Sequence, residues 1–189
     1  MIQVGLAVPR RAARLAGLVL GAALIRALLL PLGDFTSTLV FGGCLLAICW
    51  FERGPSAPES RWGRGRAVVV GLMVGAILLA PVITGRLSGR PLDAFWSWAA
   101  IAAVIATLEE TAIRGALYRR WTEEAGPVAA ILAGAAVFAL IHLPRYGLGA
   151  MPLDAAVGLA LGGLRALTGR VLPCAVAHTI ADWGAWFWA

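Results

Sequence analysis

Residues 94–118 read AFWSWAAIAAVIATLEETAIRGALY, and no charge precedes Glu109 in that run. At about 1.5 Å of rise per residue, such a run is long enough as a helix to cross the roughly 30 Å of a bilayer's hydrocarbon. Its second half nevertheless carries Glu109, Glu110 and Arg114. A charge at the bilayer centre costs about 2.5–3.5 kcal/mol on insertion scales, so these side chains must face protein or water rather than lipid. A helix of membrane length with charges along it needs other membrane helices around it.

The rest of the chain supplies them. Further apolar runs at 12–32, 36–52, 67–84, 127–143, 151–168 and 171–188 bring the expectation to about seven spans, an all-α polytopic transmembrane helix bundle. The breaks are punctuated by Pro31 to Asp34, by Arg53 to Arg66 with Pro55 and Pro58, by Gly85 to Pro91, by Gly126-Pro127 and by Pro144 to Gly149. No linker or repeat divides the chain, so residues 1–189 read as one transmembrane domain. Composition agrees: 60% of the residues are hydrophobic, mean hydropathy is +0.83, and 14% are charged, against about 25% in soluble domains. A soluble protein could not build its charged shell from this sequence.

The net charge of +6 would suggest nucleic acid in a soluble protein. Here every basic residue is Arg, and the Arg residues cluster between the apolar runs, which points to membrane orientation and to no nucleic-acid partner. Arg10, Arg11, Arg14, Arg53, Arg61, Arg64, Arg66, Arg119, Arg120, Arg165 and Arg170 fall on one side, and Arg86, Arg90 and Arg145 on the other. The positive-inside rule then makes this a multi-pass protein of the plasma membrane with a cytoplasmic N-terminus. The N-terminal run exceeds a signal-peptide core and contains Arg26, so it reads as the first span, with Arg26 expected to meet a buried acid or to snorkel. Cys44, Cys49 and Cys174 lack metal or redox spacing and read as packing residues. The pairs Gly17/Gly21, Gly71/Gly75 and Gly158/Gly162 are candidates for close helix approach, and Trp96, Trp98, Trp186 and Trp188 for interfacial anchors.

Candidate chemistry lies in the charged span and two others. Glu110 and Arg114 are i and i+4, close enough to pair on one helix face, while Glu109 is turned about 100° away and left without that partner. The chain has two histidines. His142 follows Phe138 by one turn, and His178 precedes Asp182 by one turn, so Asp182 could orient the His178 ring. Either histidine alone reads equally well as an interhelical hydrogen-bond donor, and Phe138 alone as core. Together, a carboxylate and two imidazoles from three helices could activate water or bind metal. Counting residues from the nominal span ends separates Glu109 from His142 by roughly 14 Å along the membrane normal.

The ordered set Glu109-Glu110-x-x-x-Arg114, Phe138-x-x-x-His142 and His178-x-x-x-Asp182 resembles the CPBP (CAAX-protease and bacteriocin-processing, Abi) family of intramembrane proteases, relatives of the type II CAAX prenyl endopeptidases. The resemblance covers residues 94–188, the implied catalytic core. It implies an endopeptidase acting on a membrane-embedded or membrane-associated peptide among membrane lipids. Glu109 would be the general base on water, His142 would hold that water, His178 with residue 182 would stabilise the oxyanion, and Glu110 with Arg114 would support the geometry. Asp182 stands where CAAX-processing members carry Asn. An ionised Asp cannot donate to an oxyanion, so either it carries its proton or it orients His178. No cofactor is expected; in a metallo-type mechanism, Glu109, His142 and His178 would hold zinc. The alternatives are a non-catalytic membrane scaffold and a small proton-coupled transporter.

Overall fold

The structure, a computed structural model, describes residues 9–54, 62–80 and 90–187. Every regular element among them is helical: α1 (Arg10–Leu29), α2 (Asp34–Phe51), α3 (Arg64–Leu78), α4 (Phe95–Glu110), a π-helical segment (Thr111–Leu117), α5 (Tyr118–Ala125), α6 (Pro127–Tyr146), α7 (Met151–Thr168) and α8 (Leu172–Ala185). Short 3₁₀ turns lead from α1 towards α2 and from α6 into α7. By length and apolarity, four helical stretches among the described residues are able to cross a membrane: Arg10–Leu32, Asp34–Phe51, Pro127–Tyr146 and Leu148–Thr168. Arg61, Arg86, Pro55, Pro58, Gly85 and Trp188 lie outside the described residues, as does the end of the 67–84 run.

The helices end where backbone chemistry ends them. Gly126 adopts φ 87°, a conformation that L side chains rarely take, and lets the chain turn directly into α6 with Pro127 at its first position. Gly169, in the left-handed region, closes α7.

Packing depends on small residues. A Cβ on Gly158 would sit 2.8 Å from the Ala135 backbone, and one on Gly162 3.0 Å from Ile131, so α7 lies directly against α6. Gly71 and Gly75 admit α8 against α3 in the same way, with Pro173 and Ile180 each 2.8 Å from the position a Cβ would take. The third expected pair fails: Gly17 and Gly21 have nothing within 4 Å of such a Cβ and do not mediate close approach. Phe41, Leu45, Ile113, Leu117 and Leu161 fill the interior at 0–1% exposure, with Cys174 buried among them.

The tryptophans also divide. Trp96 is exposed, as an anchor would be. Trp98 and Trp186 instead pack together with ring centroids 4.7 Å apart, joining Phe95, Trp183 and Phe187 in an aromatic cluster between α4 and the end of α8.

Candidate active site

The two adjacent carboxylates point to different environments because α4 ends at Glu110 and the chain continues without a break through the π-helical turns into α5. Glu110 Oε1 accepts from Arg114 Nη1 at 2.7 Å and from His178 Nδ1 at 3.0 Å. Arg114 Nη2 donates to the Gly158 carbonyl at 3.2 Å, and its guanidinium lies 4.6 Å from the Phe138 ring centroid. Glu110 and Arg114 are sealed at 0% and 1% exposure, while His178 and Glu109, also buried at 4% and 3%, line a cavity. A buried pair of this kind holds only when its remaining donors are also satisfied, which the Gly158 carbonyl and His178 accomplish in part.

Glu109 faces the other way. Its Oε2 lies 3.8 Å from His178 Nε2 and 4.0 Å from His142 Nε2, beyond direct hydrogen bonding. Both rings are fixed from behind. His142 Nδ1 must carry a proton, because its partner at 2.8 Å is the Phe138 carbonyl, which can only accept. His178 Nδ1 donates to Glu110. Each imidazole therefore presents Nε2 toward Glu109. Phe138 keeps both in place, its ring 4.4 Å from that of His142 and 5.2 Å from that of His178.

Asp182 is placed beside this group, not behind it. Its Oδ1 is 3.6 Å from His178 Nε2, and its side chain is 38% exposed. The expected orienting of His178 by Asp182 is thus corrected: Glu110, bonded to Nδ1, sets the ring.

A cavity of about 680 Å³ contains Glu109, His142, His178 and Asp182 on its wall. Asp34 and Arg145, which form an exposed ion pair, line it as well. Arg26 also lines it, donating to Thr38 Oγ1 at 3.2 Å and lying 5.1 Å from the Phe41 ring centroid. It meets a hydroxyl and a ring instead of the expected buried acid.

All six sequence-derived residues, Glu109, Glu110, Arg114, His142, His178 and Asp182, come together. The offset of roughly 14 Å counted from the nominal span ends, which shifting those ends by a few residues removes, does not occur. It assumed a span ending at 118, whereas the helix runs on to Ala125 and leaves Glu109 near its middle. Sequence reasoning missed the positioning role of Phe138, for which its one-turn spacing from His142 was the available signal, and the cavity residues Arg26, Asp34 and Arg145. Glu109, His142 and His178 also offer three zinc-type donors within 4.8 Å of one another.

Residues 91–184 match the family described as type II CAAX prenyl endopeptidase, Rce1-like. No curated protein and no solved structure gives a significant match. The matched segment runs from just before α4 almost to the end of α8 and so holds the whole polar cluster, which relates this chain to the CPBP membrane proteases.

Proposed function

We propose that this chain is an intramembrane endopeptidase in which Glu109 activates water against a peptide carbonyl. The observation that carries the reading is that two fixed imidazole Nε2 atoms flank one Glu109 oxygen at 3.8 and 4.0 Å, on the wall of a cavity.

The spacing lies between what a bound water and a bound zinc would impose. Partners about 2.8 Å from a water oxygen at the tetrahedral angle are about 4.6 Å apart, whereas ligands about 2.0–2.1 Å from a tetrahedral zinc are about 3.3–3.4 Å apart. The donors here fall between 3.8 and 4.8 Å. A bound zinc would be held by Glu109, His142 and His178 and would supply Lewis-acid polarisation, but the base would then be lost as a ligand.

In the metal-free sequence, His142 Nε2 accepts a hydrogen bond from the water and orients it. The water oxygen forms a bond to the carbonyl carbon while Glu109 takes its other proton. Doubly protonated His178, donating from Nδ1 to Glu110, donates from Nε2 to the oxyanion. Collapse breaks the carbon–nitrogen bond, and Glu109 returns the proton to the departing amine. Glu109→Gln keeps the shape and removes the basicity, so turnover of a reporter peptide by purified protein should fall by about 10²–10⁴-fold. A folded Glu109→Gln protein cleaving at the wild-type rate sinks the reading. Chelation with o-phenanthroline should leave turnover intact; loss restored by stoichiometric zinc establishes the metallo-type alternative.

The Arg distribution assigns the end bearing Arg119 and Arg120 to the cytoplasm. Arg145 then falls on the opposite face, and a cysteine introduced at Gly147 should react with an impermeant thiol reagent from outside. Labelling only after permeabilisation reverses the assignment.

A further inference from the structure

Arg26 is the cation that this chemistry leaves unused. It lies in the first span, on the wall of the cavity that holds Glu109. Among the described residues no carboxylate comes within 4.0 Å of it, its one hydrogen bond goes to Thr38, and its Nε is buried with no acceptor. Arg145, on the wall of the same cavity, is by contrast engaged by both oxygens of Asp34.

A guanidinium carries five donors in a planar fork that matches a carboxylate. Asp34 and Glu109 attract it from a distance without bonding it, and an ionisable side chain in a membrane span is by default a candidate for a binding function. The Phe41 ring beneath it, 5.1 Å from its central carbon, supports the charge without satisfying any N–H. Thr38 fixes one Nη nitrogen and leaves the rest of the fork unbonded.

We propose that Arg26 is a specificity-determining residue that takes a carboxylate of the peptide substrate, holding the chain in the cavity while its scissile carbonyl lies at Glu109. The proposal rests on the proteolytic reading above. The carboxylate has two possible sources, the C-terminus of the peptide or an Asp or Glu side chain near the cleavage site.

Three reporter peptides of one sequence separate them: one with a free C-terminal carboxylate, one with a C-terminal amide, and one amidated but carrying a single Glu beside the scissile bond. The wild-type protein should cleave one of the two carboxylate forms with kcat/KM about 10- to 100-fold above the neutral amide, the worth of a charge-assisted hydrogen bond. The preference should reside in KM, vanish in Arg26→Gln and survive in part in Arg26→Lys. Thermal melting of each variant checks folding. If Arg26→Gln fails to fold, inhibition of the wild-type protein by a short uncleavable peptide acid against its amide reads the same preference. Equal cleavage of all three peptides by wild type, or a preference undiminished in folded Arg26→Gln, overturns the proposal. Cleavage of none of the three by folded wild type counts against the proteolytic reading itself.

Discussion

At the bundle end where α5 turns into α6, guanidinium groups close the structure. Arg119 donates to the Glu52 carbonyl, Arg120 pairs with the Glu52 carboxylate at 3.1 Å, Arg165 Nε donates to the Arg114 carbonyl at 2.8 Å, and Arg170 Nε donates to the Trp62 carbonyl at 2.7 Å. At the opposite end, Arg26 donates to a threonine hydroxyl and lies over the Phe41 ring, and Arg145 pairs with Asp34 on the wall of a cavity. The same residue type serves two uses. Arg at the first end bonds backbone carbonyls and one carboxylate of other elements, a structural use, and Arg26 and Arg145 at the other end line space a ligand can enter. The catalytic candidates lie between, with Glu110 on the sealed side and Glu109 on the cavity side.

Substitutions can break that division. The largest effect is expected at Glu109, where Gln should cost about 10²–10⁴-fold in turnover with little change in melting temperature. Glu110→Gln, chemically identical and one residue away, should act first on stability, because breaking a buried pair costs about 3–5 kcal/mol. A melting curve and a rate for each variant compare the two, and equal losses of rate at equal stability erase the distinction. Arg165→Gln should destabilise by about 1.5–3 kcal/mol, the value of a hydrogen bond to a charged group, while the folded fraction keeps its rate. Asp34→Asn, in an exposed pair, should change stability by about 0–1 kcal/mol. A larger loss of stability there assigns the rim a structural share as well.

Much of this was legible in the sequence because membrane helices announce themselves by length and apolarity. The runs at 36–52, 127–143 and 151–168 differ from α2, α6 and α7 by at most a few residues. Gly71/Gly75 and Gly158/Gly162 were readable as contacts, yet Gly17/Gly21 has the same spacing and no neighbour, since spacing alone does not say which helix comes close. The Glu110–Arg114 pair followed from one-turn geometry. The π-helical turns at Thr111–Leu117 did not, because Thr111 and Gly115 lower helix propensity without specifying a π turn. Phe138 was hidden for a related reason: a phenyl ring beneath a guanidinium looks, in sequence, like any core phenyl ring.

The buried Glu110–Arg114 pair bears on how the chain enters the membrane at all. Both partners lie on one helix, four residues apart, so the two charges can neutralise each other as soon as that helix forms. The Gly158 carbonyl that also receives Arg114 emerges from the ribosome 44 residues later, and His178 follows Glu110 by 68. The helix therefore reaches the lipid with its most costly charges already offset. Glu109 has no such companion, and its imidazoles arrive only as the later helices insert. Synthesis thus delivers the neutralised Glu110–Arg114 pair early and completes the surroundings of Glu109 only once α8 has followed.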